Sequence, residues 1–339
     1  MCIFVPMKNI LYLFTLILCA CSSSDNRILV KNSGEAQGSY YHIQYLSENG
    51  ENYKSQIDSI LLEVDSSLSI YKDYSLISKL NKRENIKTDT LFNAVFLGAQ
   101  KVFVESEGNF DCSVSPLVNA WGFYKNKLGD SLVIDSAIIR IISKYYVGFD
   151  KISLIADSLV LPKGMSLDFN SIAQGYTVDI IAQFLESKGD SNYLVEVGGE
   201  LLAKGKNADG NIWRVGVDKP SEDIDEQERF QFILDLENKA LATSGNYRKF
   251  YEENGVKYAH TINPFTGFPA QNRLLSVTVI HDNCMLADAY ATAFMVMGVK
   301  QSKQFAKTHS EIEIYLVYTG KDGAWKTFVS PNMQNRIIN

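Results

Sequence analysis

Residues 193–217 read YLVEVGGELLAKGKNADGNIWRVGV and contain two short strand-like runs with no helical pattern between them. The runs occupy 193–197 and 213–217, and a third follows at 230–234. Parallel strands need a long crossover connection, usually a helix, whereas antiparallel strands can follow one another through turns. The stretch therefore predicts an α+β fold with mixed or antiparallel sheets and packed helices, and it argues against a doubly wound parallel sheet.

Strand and helix patterns continue on both sides of this stretch. Further β-like runs lie at 40–45, 152–155, 275–280 and 311–318. Apolar residues spaced three or four apart predict amphipathic helices, and these cover 57–68, 92–103, 173–188 and 285–296. No G-x-G-x-x-G follows a strand and no G-x-x-x-x-G-K-[ST] occurs, so neither a Rossmann nor a P-loop nucleotide site is expected.

The N-terminal residues are typical of a lipoprotein signal. Lys8 precedes the apolar run 10–18, which is too short for a permanent membrane span but suits a signal peptide. The run ends in Leu18-Cys19-Ala20-Cys21, similar to a bacterial lipobox. The small Ala20 makes Cys21 the better lipid acceptor.

These features predict three segments: a signal peptide at 1–20, a lipidated Cys21 with a tether at 21–34, and a folded domain at 35–339. The protein is then exported and lipid-anchored to the cell membrane, on the periplasmic side of the inner or outer membrane. An uncleaved anchor or a buried N-terminal helix is the alternative interpretation.

Charge and cysteine content limit the function classes. The chain has 339 residues, a formal net charge of −6 and no basic run, so we expect no nucleic-acid partner. Beyond the leader only Cys112 and Cys284 remain. The two could form a bridge, but they are no disulfide scaffold for so large a domain.

Three segments combine small and polar residues in ways that suit ligand binding. Residues 167–176 (LDFNSIAQGY) enter a helix, whose N-terminal N–H groups attract phosphate; an ordinary helix capped by Asn170 or Ser171 is the alternative. Gly198-Gly199 follows a strand and allows close approach of a ligand, or it forms a plain turn. His260 stands before an Asn-Pro turn, and is either catalytic or structural.

Asp288 and Thr292 lie four residues apart in the helical segment LADAYATAFMVMG. Residues at this spacing share one helix face. A carboxylate and a hydroxyl are oxygen donors suited to Mg²⁺. The alternative is an aspartate that stabilises the start of a helix through the dipole, beside a threonine without a role.

Taken in order from about Gln37 to Gly298, these motifs resemble the ApbE family of FAD:protein FMN transferases. The resemblance includes Gln37-Gly38-Ser39, where the family usually has Met-Gly-Thr, and PLVNAWGF at 116–123. Thr243-Ser244-Gly245 and HTINPFTG at 260–267 continue it. The last three patterns are specific, and their joint occurrence in this order is not a chance event.

The resemblance implies an ApbE-like, T-fold-related architecture in which 35–339 is the flavin transferase domain and FAD binds in a cleft with Mg²⁺ on its pyrophosphate. His260 corresponds to a residue that assists proton transfer. Ser171, through a nearby backbone oxygen, would hold the metal with Asp288 and Thr292. The implied FAD contacts are Gln37, Tyr71, Ala120, Trp121, Gly122, Asp168, Gln174 and Ile262.

Two of these positions depart from the family pattern. Gln37 replaces the usual Met, and Gln174 stands where Lys is common. A charge-assisted hydrogen bond contributes roughly 1.5–3 kcal/mol against about 1 for a neutral one. We therefore expect a looser hold on the FAD pyrophosphate, with the metal-binding residues intact.

The reaction implied is Mg²⁺-dependent transfer of FMN from FAD to a Thr or Ser hydroxyl of a target protein, with release of AMP. The implied acceptors are flavin-carrying subunits of membrane redox complexes. Three alternatives remain at this point: an FAD pyrophosphatase that gives FMN and AMP, a flavin-binding lipoprotein without turnover, and a purely structural surface lipoprotein.

Overall fold

The computed structural model describes residues 27–124, 135–220, 229–246, 250–253, 256–259 and 261–338. Its centre is an eight-stranded sheet whose neighbouring strands all pair antiparallel. In spatial order the strands are β1 (Ile28–Ala36), β2 (Ser39–Ser47), β5 (Tyr193–Val197), β6 (Glu200–Lys204), β9 (Lys239–Gly245), β12 (Leu274–His281), β13 (Glu313–Thr319) and β14 (Trp325–Val329).

Within the described ranges, three two-stranded ribbons accompany the main sheet. They are β3 (Ser153–Ile155) with β4 (Ser158–Val160), β7 (Trp213–Asp218) with β8 (Phe230–Leu236), and β10 (Phe250–Glu253) with β11 (Val256–Ala259). The helices of the described chain are α1 (Lys54–Leu68), α2 (Leu76–Asn81), α3 (Thr90–Glu105), α4 (Ser115–Ala120), α5 (Ser136–Tyr146), α6 (Ala173–Ser187), α7 (Cys284–Thr308) and α8 (Pro331–Gln334). Short 3₁₀ helices occur at Cys112–Val114 and Phe149–Lys151.

The two faces of the main sheet are covered by different elements. On one face, α1 and α6 pack on β2 and β5, and α3 and α7 pack on β9, β12 and β13. On the other face, the β7–β8 ribbon packs on residues of β6, β12 and β13. The predicted α+β class with antiparallel sheets is confirmed.

Two predicted boundaries differ from the structure by more than three residues. β1 begins at Ile28, so residues 28–34, which we predicted as tether, belong to the sheet. The helix predicted at 285–296 extends to Thr308 because the chain resumes helical geometry after Gly298, whose φ of +72° interrupts it. A glycine at positive φ usually ends a helix. The apolar periodicity of the sequence also weakens near Gly298, so the sequence predicts that the helix ends there.

Cys112 and Cys284 are both buried and free, so the bridge left open by the sequence is not formed. Among the helices of the described residues, none has the length and apolar character needed to cross a bilayer.

Candidate functional site

The turn before α6 is fixed by contacts with two other segments. The Asn81 side chain donates to Leu167 O and accepts from Leu167 N, both at 2.8 Å. Asp168 N donates to Cys112 O at 2.8 Å. Ile172 is the N-cap of α6, and no side chain caps it at that position, so the alternative of an ordinary helix capped by Asn170 or Ser171 is not what the structure shows. In the first turn, Ala173 N donates to Phe169 O at 2.8 Å and Gly175 N donates to the Asp288 carboxylate at 3.1 Å.

Asp168 is the centre of a polar network at this turn. Its carboxylate is 8% exposed and accepts from Tyr124 Oη at 2.6 Å and from Asn170 N at 2.8 Å. Asn170 Nδ2 also donates to Tyr71 Oη at 3.1 Å. Burial raises the pKa of the Asp168 carboxyl, while the bonds from Tyr124 and Asn170 lower it. Tyr71 and Asp168, two predicted FAD contacts, therefore share one network.

Tyr124 was missed by the sequence reasoning. It directly follows the PLVNAWGF motif, which is the signal that could have drawn attention to it. Burial raises the pKa of the Tyr124 phenol far above its ordinary value, and the negative charge of Asp168 adds to this effect. The phenol therefore stays protonated and donates to Asp168.

Gln37 contacts α6, and Gln174, in the first turn of α6, lies against the Gly198-Gly199 turn. Gln37 Nε2 donates to Thr177 Oγ1 at 2.8 Å. A Cβ at Gly198 would lie 2.4 Å from Gln174 Nε2, so the Gln174 amide sits directly against this turn. The glycines have φ of +69° and +112° and join β5 to β6. Gly198-Gly199 therefore forms a turn, as one interpretation of the sequence expected. Because glycine has no side chain, the backbone of this turn is not covered by side chains of its own next to Gln174.

The predicted metal ligands of α7 lie beside α6. Asp288 is 6% exposed and its Oδ2 accepts from Gly175 N at 3.1 Å. The pKa of the Asp288 carboxyl is raised to about 7, because the effect of burial exceeds the lowering effect of the hydrogen bond from Gly175. One turn further, Thr292 Oγ1 is 3.4 Å from Ser244 Oγ. A buried carboxylate with a single N–H donor is well suited to a cation.

The remaining predicted ligand, Ser171, stands in the turn that opens α6. It precedes Gly175 by four residues, and Gly175 N donates to Asp288 Oδ2. Burial raises the pKa of the Cys112 thiol, the charges of Asp111, Asp168 and Asp288 raise it further, and a hydrogen bond with Ser171 lowers it. Within the described residues no group of three or more His, Cys, Asp or Glu side chains could hold a metal. One carboxylate with hydroxyl and backbone oxygens is instead a donor set of the kind Mg²⁺ accepts.

Trp121 is a core residue. It is 4% exposed, its Nε1 donates to Gly267 O at 2.8 Å, and its ring meets Phe268 edge-on at 5.6 Å. Ala120 and Ile262 pack in the same apolar cluster, and Gly122 has a φ of +75°. The indole therefore exposes little surface on which a flat ligand ring can stack.

Two predicted residues, His260 and Cys21, lie outside the described residues. β11 ends at Ala259, directly before His260. On the other side, Thr261 Oγ1 donates to Asn246 Oδ1 at 3.2 Å. Their assignments stay predictions.

Comparison with known proteins bears on this arrangement. The ApbE family model matches residues 37–316. The FAD:protein FMN transferase of Vibrio cholerae serotype O1 is 34% identical over 330 residues, which cover 94% of this chain and 95% of that protein. The chain belongs to the ApbE family. The FAD:protein FMN transferase of Haemophilus influenzae is 33% identical, and the match covers 91% of this chain and 91% of that protein.

Solved ApbE structures have the same fold. The flavin transferase ApbE from Vibrio cholerae superimposes with a TM-score of 0.81 at 33% identity, covering 91% of this chain and 99% of that one. Pseudomonas stutzeri flavinyl transferase ApbE, in its apo form, gives the same TM-score at 29% identity, covering 91% and 97%. The predicted ApbE-like architecture is confirmed.

One groove of this ApbE-family chain lies away from the predicted residues. It has a volume of about 610 Å³ and runs between α3, α5 and the 264–266 loop. Arg140, Lys144 and Phe265 line it, and none of the predicted FAD or metal residues does. We place the candidate site at α6 and α7 because the oxygen donors and glycine turn are there.

Proposed function

We propose that this chain transfers FMN from FAD to a Thr or Ser hydroxyl of a target protein in an Mg²⁺-dependent reaction. In this reaction the hydroxyl oxygen forms a bond to the FMN-side phosphorus, the bond from that phosphorus to the AMP oxygen breaks, and AMP leaves. The hydroxyl proton passes to a base, for which His260 is the candidate. The kinship to FAD:protein FMN transferases supports the activity.

The observation that carries the proposal is the buried Asp288 carboxylate beside Gly175, with Thr292 one turn on along α7 and Ser171 four residues before Gly175. These oxygens fit Mg²⁺, which when bound neutralises charge that develops on the pyrophosphate. The chain's own part is to bind and orient FAD. Gly198 and Gly199 let the ligand approach the backbone, and the positive end of the α6 dipole favours the charge of a phosphate.

Gln174 replaces an ammonium with a neutral amide at this site. The protein therefore depends more strongly on the cation and on backbone donors to offset the pyrophosphate charge. We expect FAD affinity to respond to Mg²⁺ more than to ionic strength.

The cellular setting belongs to the same proposal. We infer a signal peptide at 1–20, lipidation of Cys21, and an exported protein anchored on the periplasmic side of the inner or outer membrane. We take flavin-carrying subunits of membrane redox complexes as acceptors. Anchoring both partners to one membrane raises their effective concentration.

The test incubates the purified full chain with FAD, Mg²⁺ and a flavin-carrying subunit of a redox complex, then reads flavin fluorescence in a denaturing gel. A fluorescent acceptor band together with AMP supports transfer. Free FMN plus AMP without a fluorescent band means FAD hydrolysis. FAD bound without turnover means a flavin carrier, and no flavin binding leaves only a structural role.

A further inference from the structure

Asp179 of α6 makes an unusual contact with the start of α7. The side chain is 5% exposed. Its Oδ1 accepts from Cys284 N at 2.9 Å and its Oδ2 accepts from Met285 N at 2.8 Å. These are the first two N–H groups of α7, which have no partner inside their own helix. One buried carboxylate from a neighbouring helix therefore satisfies both.

The contact fixes orientation as well as distance. Successive residues of an α-helix are about 100° apart around the axis, so binding two successive N–H groups opposes rotation of α7. The N-cap Asn283 takes the next N–H, from Leu286, at 2.9 Å. A negative charge at this end is also favoured by the helix dipole.

A second contact between the same helices lies one turn away. Gly175 precedes Asp179 by four residues on α6, and its N–H donates to Asp288 Oδ2 at 3.1 Å. A Cβ at Gly175 would lie 2.4 Å from Cys284 O, so the backbones meet here without room for a side chain. Rotation or sliding of α7 would move Asp288 away from Gly175.

We propose that Asp179 is a positioning residue that holds α7 against α6 so that Asp288 and Thr292 present their oxygens to one cation. The inference rests on the proposed metal site of the function above. If Asp179 only stabilised the fold, losing its contact with α7 would leave metal affinity unchanged. As a positioning residue, its loss weakens metal binding as well as the fold.

Asp179→Asn tests this with Mn²⁺ as the probe, measured by electron paramagnetic resonance in the presence of FAD. Asn keeps one acceptor oxygen and loses the other. We expect Mn²⁺ binding to weaken about tenfold, as is usual when an outer partner of a metal ligand is lost. The Mg²⁺ concentration for half-maximal transfer should rise in parallel, and excess Mg²⁺ should restore much of the rate.

Asp89→Ala is the control for lost stability. Asp89 caps α3 by accepting from Phe92 N at 2.7 Å, so removing this acceptor lowers the melting temperature without removing a contact to α7. We expect unchanged Mn²⁺ affinity there. If Asp179→Asn also lowers only the melting temperature, the positioning role is refuted.

Gly175→Ala covers the case in which Asp179→Asn does not fold. It leaves the carboxylate in place but forces α7 away from α6, so Mn²⁺ binding should weaken by a similar factor. Wild-type Mn²⁺ affinity in this variant overturns the inference. A wild-type protein that binds Mn²⁺ and FAD but transfers no FMN refutes the proposed function alone, since the metal titration does not depend on turnover.

Discussion

At the scale of single residues, Gln37 has a buried side-chain carbonyl oxygen without a donor in the described chain. The Thr177 hydroxyl gives its one proton to Ala173 O at 2.7 Å, so it can only accept from Gln37. The Gln37 amide must therefore turn its NH₂ to Thr177 and its carbonyl the other way. Within the described chain nothing donates to this buried carbonyl oxygen.

Gln37→Met should therefore stabilise the free protein and weaken FAD binding. A buried acceptor without a donor costs about 1–3 kcal/mol, so we expect a gain of about 1 kcal/mol in the free energy of unfolding. FAD affinity should fall about fivefold, which corresponds to one neutral hydrogen bond. Denaturant melts and flavin fluorescence titrations measure the two effects. A less stable variant with unchanged FAD affinity would show that Gln37 serves only Thr177.

Asp288 and Thr292 carry the sharpest prediction for the reaction. Asp288→Ala should abolish transfer and Thr292→Val should reduce it strongly, with the fold kept in both. Because burial raises the pKa of Asp288 to about 7, its charge is costly without a cation, and the metal-free Asp288→Ala protein should lose little stability. The measurement is the rate of transfer as a function of Mg²⁺ concentration. A wild-type rate and an unchanged Mg²⁺ dependence in Asp288→Ala would show that Asp288 is not a metal ligand.

At the scale of secondary structure, the sequence predicts the helices α1, α3 and α6, whose apolar residues recur along one face. α5 was missed, although Ile138, Ile139, Ile141 and Ile142 also recur there at helical spacing. β6 (ELLAK) and β9 (KALATSG) were missed because their pairing joins residues 40 positions apart, such as Leu201 with Leu241. β1 was missed because it is an edge strand in which only Val30 and Asn32 are buried.

The same limit applies to the site. The i, i+4 spacing places Asp288 and Thr292 on one face of α7 from sequence alone. The contact of Asp179 with Cys284 joins residues 105 positions apart, and no local pattern predicts it. Likewise, PLVNAWGF marks Trp121 as special, but only the structure shows that its indole is enclosed.

Trp121 links α4 to the 261–268 loop, so its loss should act first on the fold. Trp121→Ala removes a large buried ring and the bond to Gly267 O. We expect a loss of about 3–5 kcal/mol in the free energy of unfolding, with weaker FAD binding as a result. Trp121→Phe keeps part of the packing and is the control. A wild-type melt with weak FAD binding would instead mean that the ring contacts the ligand.

At the scale of the whole molecule, the proposed lipid anchor is separate in sequence from the candidate site. Cys21 precedes the folded domain, and β1 begins seven residues later, at Ile28. Cys21→Ser should therefore release the protein from membranes while the purified chain keeps its activity. Fractionation after a salt wash is the measurement. Continued sedimentation of the variant with membranes would refute lipid anchoring at this residue.

The stability of the whole fold depends on pH through buried carboxyls such as Asp111. Asp111 accepts from Ser113 N at 2.7 Å and from Phe149 N at 3.2 Å. Burial raises its pKa to about 6, against the lowering effect of these bonds. The folded state therefore holds the proton more tightly than the unfolded chain, whose pKa is about 3.9.

The sign of the pH dependence follows from this difference. Where the folded state binds more protons, stability falls as pH rises. The contribution of Asp111 is fully present below about pH 4 and is lost by about pH 6–7, and two pKa units correspond to about 3 kcal/mol. Asp111→Asn cannot ionise, so its free energy of unfolding should fall less than that of the wild type between pH 4 and 7. Parallel curves for the two proteins would mean that Asp111 is already ionised at pH 4 in the fold.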